Sequence, residues 1–278
     1  MDERTIEIEK SITKKFRPKL LAKFTKAIKT YDLLKPNDHV LVCISGGKDS
    51  MLMAMLFKIL HEHSDFPFDV SYLVMNPGYN ELNGNLIKEN LSTLGIDAEI
   101  EETRIFDVAA RQDRSPCYLC AKMRRGALYS FAQKRGCNKI ALGHHYDDVI
   151  ETTLMNLLNA GSFQTMLPKL HSDNYEGIDL IRPMYLIREK DIIGWCNHND
   201  LHFIACACKL TEGLAEGTET SKRKETKELI KELTKNYNVN TEKNLFSAGS
   251  KVVLDKVLGY YENGEYHNYL DTFDKEQQ

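Results

Sequence analysis

Short apolar runs of strand length alternate with stretches of helical period along most of this chain. His39 to Ile44 is a continuous apolar run that reads as a buried strand, and Met51 to His61 is a longer one that reads as a helix. Further strands are predicted at Asp69 to Met75, Ala98 to Glu101, Asn138 to Leu142 and Asp179 to Arg182, and helices at Leu82 to Leu94, Asp147 to Leu158 and Glu189 to Asn199. Phe106 to Ser115 is mixed and reads as irregular. Ahead of the first strand, Ile12, Phe16, Leu20, Phe24 and Ile28 recur at helical spacing within Thr5 to Lys29, where Pro18 kinks the helix or splits it in two. Strands separated by helices predict an α/β fold, a parallel sheet with helices on both faces. N-terminal and C-terminal helical segments flank it, which divides the chain into residues 1–30, 31–215 and 216–278.

Charge changes this picture locally. The net charge of −3 carries no global sign of a nucleic-acid partner, yet residues 10–30 hold eight Lys or Arg and no acid. Lys14, Lys15 and Arg17 therefore stand as a polyanion contact as readily as a solvated helix surface. In Thr220 to Lys235 the lysines are interleaved with Glu225, Glu228 and Glu232, and a solvated helix supported by i,i+4 pairs is the better reading. No stretch has the apolar length of a membrane span and the N-terminus is charged, so a cytoplasmic protein without a membrane partner is expected. Seven cysteines, an odd number, then point to metal or redox duties more than to disulfides.

Between the first strand and its helix lies Ser45-Gly46-Gly47-Lys48-Asp49-Ser50. Two glycines let backbone N–H groups turn toward an anion, and the helix N-terminus adds its positive dipole end. The loop differs from a Walker sequence because Asp49 separates Lys48 from Ser50. Downstream, Gly143-His144-His145-Tyr146-Asp147-Asp148 also leads from a strand into a helix. Its two acids suit the helix dipole, and they equally suit magnesium, which takes one or two carboxylates beside phosphate oxygens.

Cys117-Tyr118-Leu119-Cys120 spaces two thiolates to share a metal, with Lys122, Arg124 and Arg125 as neighbouring cations that favour the thiolate form. Partners are available at Cys206 and Cys208. Four thiolates would satisfy zinc, whereas three would hold a 4Fe-4S cluster with one iron open. Cys43, Cys137 and Cys196 read as small buried residues.

The loop resembles the PP-loop of ATP pyrophosphatases, the adenine nucleotide alpha hydrolase-like fold. Together SGGKDS, CYLCAKMRRGALY, ALGHHYDDVIET and IRPMYLIREKDI resemble, in order and spacing, the tRNA 2-thiocytidine and 2-thiouridine synthetases, the TtcA/TtuA family. The resemblance implies ATP with magnesium, a 4Fe-4S cluster, a tRNA substrate and a reaction in which an adenylated C2 oxygen of a pyrimidine, cytidine foremost, is replaced by sulfur. Carried over, nucleotide binding falls to Ser45, Gly46, Gly47, Lys48, Asp49, Ser50, Met75, Gly143 and His144, and catalysis to Lys48, Asp49, Asp147 and Asp148, the last two as magnesium ligands. The cluster falls to Cys117, Cys120 and Cys206, with Cys208 as alternative or fourth ligand. RNA contact falls to Lys14, Lys15, Arg17, Lys122, Arg124 and Arg125. A cysteine desulfurase system or free sulfide would donate the sulfur, and a homodimer is the family analogy. Two other classes stay open: a zinc-stabilised PP-loop ligase amidating a small molecule, and a non-catalytic nucleotide or cluster sensor.

Overall fold

Residues 2–111, 116–204 and 219–273 are described by the structure, a computed structural model. The first strand, β1 (His39–Ile44), has the boundaries its apolar run predicts, and its side chains alternate between two cores. Val40, Val42 and Ile44 join one apolar cluster, while Leu41 and Cys43 join another on the opposite face. The first cluster takes in α1 (Glu3–Thr13), α2 (Leu21–Thr30), α3 (Lys48–His63) and α4 (Glu81–Leu94), together with Trp195 of α8 (Glu189–His198). The second is covered by α5 (Ile105–Ala110) and α6 (Pro116–Lys134). Helices thus cover both faces, as a parallel sheet requires.

The sheet runs β3-β2-β1-β4-β6-β5, with β2 at Asp69–Asn76, β3 at Glu99–Glu102, β4 at Lys139–Ala141, β5 at Lys169–His171 and β6 at Asp179–Ile181. All pairings are parallel except that of edge strand β5 with β6. The chain builds outward from β1 to β3 and then returns to the other side of β1, so the order reverses between β1 and β4. A crevice at the carboxyl ends of these two strands is where such sheets bind ligands.

One open alternative is decided and two local readings need correction. Pro18 splits the first helix: α1 and α2 are separate, with turns from Lys14 to Leu20. The stretch from Phe106, expected to be irregular, begins inside α5, whose Ile105, Phe106 and Ala109 are buried and whose Phe106 N–H donates to Pro77 O at 2.8 Å. The short edge strand β5 was not expected at all. It is held by ions as well as by its ladder: Lys139 Nζ lies 2.6 Å from Asp179 Oδ2, and His171 Nδ1 lies 2.6 Å from Asp179 Oδ1. Burial pushes the Asp179 carboxyl up, but the hydrogen bonds from Lys139 and His171 outweigh this and hold it below the usual carboxylate range. Because Lys139 and Asp179 are both buried and Asp179 keeps His171, Lys139→Met is expected to cost about 1–3 kcal/mol in urea unfolding; no measurable loss would show that the pair is not what fixes β6.

Close packing divides the chain into residues 1–149 with 166–223, and residues 150–165 with 224–278. Helices α7 (Tyr146–Met155, followed by a π turn over Asn156–Ala160) and α9 (Glu219–Asn236) begin in the first unit and end in the second. The second unit also contains α10 (Thr241–Ala248), a hairpin of β7 (Gly259–Glu262) and β8 (Glu265–Asn268), and α11 (Leu270–Phe273). An Asn263-Gly264 pair with both φ values positive closes the hairpin, a turn suited to strand twist. Among the described residues no helix is long and apolar enough to cross a membrane.

Candidate active site

The loop after β1 turns at Gly46, whose φ of +82° is a conformation other residues rarely adopt. A Cβ there would lie 2.7 Å from both Ile204 Cδ1 and Ile87 Cγ1. Ser50 ties the turn together: Ser45 N–H donates to its Oγ at 3.0 Å, and its hydroxyl donates to Gly47 O at 3.0 Å. Tyr79 Oη donates to Ser45 O at 3.1 Å. The loop is therefore held from both ends, and α3 starts immediately after it at Lys48.

The second segment, after β4, packs against this loop without a spacer. A Cβ on Gly143 would meet Ser50 N at 3.2 Å and Asp49 C at 3.3 Å, so a side chain there would press the two backbones apart by a few tenths of an ångström. Beyond it, His145 is buried with Nε2 3.8 Å from Asp49 Oδ1 and Nδ1 3.3 Å from Asp148 Oδ2. Its backbone N–H donates to Asp148 Oδ2 at 2.9 Å, a cap for the start of α7.

A cavity of about 480 Å³ opens where these segments meet, a size suited to a small ligand. It is lined by Ser45, Asp49, Ser50, Met75, Gly143, His144 and Asp148, and also by Arg124 and Arg125 of α6. Its wall includes Ile44, Leu128, Tyr129, Ile140, Leu142 and Leu180, an apolar surface able to take a flat ring. Asp49 Oδ1 and His144 Nδ1 are buried with no hydrogen-bond partner among the described residues, and both residues line the cavity. Buried polar atoms of this kind want a ligand.

This geometry belongs with a known family. The PP-loop domain family matches residues 16–208. The tRNA-cytidine(32) 2-sulfurtransferase of Citrifermentans bemidjiense is 36% identical over 241 residues, covering 84% of this chain and 91% of its own. The chain belongs to the PP-loop tRNA-cytidine(32) 2-sulfurtransferase family. The Variovorax paradoxus member is 32% identical over 271 residues, covering 95% of this chain and 82% of its own. The fold also matches the U34-tRNA thiolase NcsA of Methanococcus maripaludis, solved with its 4Fe-4S cluster, at a TM-score of 0.64 and 22% identity over 82% of this chain and 76% of that one.

Within this family member the two adjacent acids do different things. Asp147 accepts from Arg188 Nε at 3.2 Å and from Glu189 N–H at 2.7 Å, with Arg188 Nη2 at 3.0 Å, and so fixes the start of α8. It does not line the cavity, whereas Asp148 does. Lys48 does not line it either: its Nζ lies 3.2 Å from Asp49 Oδ2 and 3.2 Å from Glu189 Oε1. Burial lowers the Lys48 pKa, but these two carboxylates more than reverse that, so the amine stays charged. Burial raises Asp49, with His145 and Lys48 opposing it. His144 is pushed down to about 4, first by burial and then by Arg182, Arg223 and His145, so a neutral imidazole lines the cavity at pH 7.

Asp49 and Asp148 are the two carboxylates that line the cavity among the described residues. Among the described residues there is no group of three His, Cys, Asp or Glu that could hold a metal. Cys120 is buried on α6, one position before the cavity-lining Ala121. The Cys117 side chain, Cys206 and Cys208 lie outside the described residues. Lys14, Lys15, Arg17 and Lys122 are exposed and do not line the cavity; Lys15 Nζ lies 3.0 Å from His198 Nδ1. Cys43, Cys137 and Cys196 are buried, and burial raises the thiol pKa of each.

Sequence reasoning missed Glu189, Arg188 and Arg223. Arg223 lies in the helix read as a solvated surface, yet it lines the cavity, with Nη1 2.7 Å from Asp148 Oδ1. No sequence signal separates it from the other cations of that helix.

Proposed function

We propose that this protein is an ATP-dependent tRNA sulfurtransferase that replaces the C2 oxygen of a tRNA cytidine with sulfur. The supporting observation is convergence: the phosphate-type loop, the His144–Asp148 segment and the arginines of the CxxC helix meet at one cavity. ATP phosphates would lie against the loop N–H groups and the start of α3, with Lys48 exchanging a carboxylate for phosphate oxygen. Asp49 and Asp148 would hold magnesium on those phosphates. The C2 oxygen attacks the α-phosphorus and pyrophosphate leaves, giving a C2-O-adenylate. Hydrosulfide then adds at C2, its proton is lost, and AMP departs with the original oxygen. A neutral His144 at the cavity wall is suited to hydrogen bonding without adding charge.

Cys117, Cys120 and Cys206, with Cys208 as alternative or fourth ligand, would hold a 4Fe-4S cluster, which when bound supplies an open iron to carry the sulfur. Sulfide would come from a cysteine desulfurase system or from solution, and a tRNA substrate places the reaction in the cytoplasm. Lys14, Lys15, Arg17, Lys122, Arg124 and Arg125 are the proposed RNA contacts. The decisive test is mass spectrometry of tRNA nucleosides from cells lacking the protein. We expect 2-thiocytidine to disappear and to return with the wild-type chain only; an unchanged nucleoside profile would end this reading.

A further inference from the structure

Among the described residues three guanidinium groups line the cavity, Arg124, Arg125 and Arg223, against two carboxylates, Asp49 and Asp148. Asp49 is engaged with Lys48 at 3.2 Å, and Asp148 with Arg223 at 2.7 Å. Among the described residues Arg124 and Arg125 have no ion-pair partner. Three guanidinium groups in one concave site make a place for a tetrahedral oxyanion, which arginine recognises through paired N–H donors.

We propose that Arg223, with Arg124 and Arg125, forms a phosphate subsite for the RNA acceptor, and that Asp148 occupies Arg223 until a backbone phosphate displaces it. The inference rests on the tRNA reading above. A phosphate could in principle come from either substrate, and location favours RNA. The ATP loop has its own N–H groups, and Lys48 sits beside it between Asp49 and Glu189. Arg223 keeps 41% of its side chain exposed and Arg125 is exposed, so both stand where a macromolecule can reach. When phosphate takes Arg223, Asp148 retains its bond from His145 N–H at 2.9 Å and its other oxygen is released toward the cavity. Acceptor binding would thereby supply a carboxylate to the reaction centre, a link between having RNA in place and activating it.

The test measures tRNA affinity by fluorescence anisotropy across a salt series for wild type, Arg223→Ala and Arg223→Lys, alongside the KM for ATP. Arg223→Ala is expected to weaken tRNA binding about tenfold, the loss of one charge-assisted contact, and to flatten the log K against log salt slope by about 0.7–0.9. Arg223→Lys should restore the slope and part of the affinity, since it keeps the charge and loses the fork. The ATP KM is read beside the tRNA affinity to tell an RNA phosphate from a nucleotide phosphate. Unchanged tRNA affinity and slope in Arg223→Ala would overturn the subsite, leaving Arg223 in its pairing with Asp148. A rise in ATP KM without a change in tRNA affinity would overturn the RNA assignment and give the site to nucleotide phosphate. A wild-type protein that does not bind tRNA at all would instead defeat the function on which the inference rests.

Discussion

Lys48→Ala is expected to slow pyrophosphate release about 10²- to 10³-fold, the usual cost of removing one preorganised donor at developing charge. The amine is half-buried between Asp49 and Glu189, each 3.2 Å away, so its removal also leaves two carboxylates facing each other beside the phosphate loop. Incoming triphosphate then meets net repulsion where it now meets a cation. Lys48→Arg keeps the charge and should recover part of the rate. Gly46→Ala should lose activity comparably for a backbone reason. Its φ of +82° strains alanine, and the new Cβ would sit 2.7 Å from Ile204 and Ile87, pushing the turn off the anion. Pyrophosphate release in the presence of ATP and tRNA is the measurement, with thermal unfolding run beside it to separate loss of the site from loss of the fold. A Lys48→Ala rate within about threefold of wild type would remove the lysine from the charge-stabilising role given to it here.

Cys120→Ala should separate the two half-reactions. The thiol is buried on α6, and alanine leaves a small void whose cost, about 1 kcal/mol, the sheet and its two apolar layers can absorb. The loop, Lys48 and Asp49 are untouched. Thiolated nucleoside formation is expected to fall to background while tRNA-dependent pyrophosphate release stays within about threefold of wild type. Anaerobically purified protein should lose its absorbance near about 400 nm together with its iron. If the variant keeps iron and thiolates tRNA, Cys120 is a buried packing residue and no ligand. If both half-reactions fail together, the cysteines hold the ATP site in shape and do not serve sulfur transfer.

Much of the fold is legible from pattern because the determining forces are local. His39 to Ile44 alternates between two apolar layers, which is why its boundaries can be read from residue type alone. The loop after it is legible because only a short list of residues can turn a strand into a helix around an anion. Where pattern fails, the deciding contact lies far off in the chain. Helix α5 has one turn of apolar spacing and is held by Phe106 N–H on Pro77 O. Strand β5 has three residues, too few for a period, and depends on pairing with β6 and on Asp179. The hairpin at residues 259–268 is different: its Asn263-Gly264 signal is local and readable, and a charged tail obscures it.

The candidate site divides in the same way. Residue type and spacing by themselves determine that Ser45 to Ser50 forms a phosphate loop and that the chain belongs among enzymes with a CxxC helix and paired acids. They could not divide labour between Asp147 and Asp148, which are neighbours with identical side chains. On a helix, adjacent residues point about 100° apart, so Asp148 lines the cavity while Asp147 holds Arg188 and the start of α8. Nor could they pick Arg223 from a helix of similar cations. Only the tertiary structure decides that, because the choice depends on which face of a distant helix comes to lie against Asp148, and charge patterning within the helix carries no record of it.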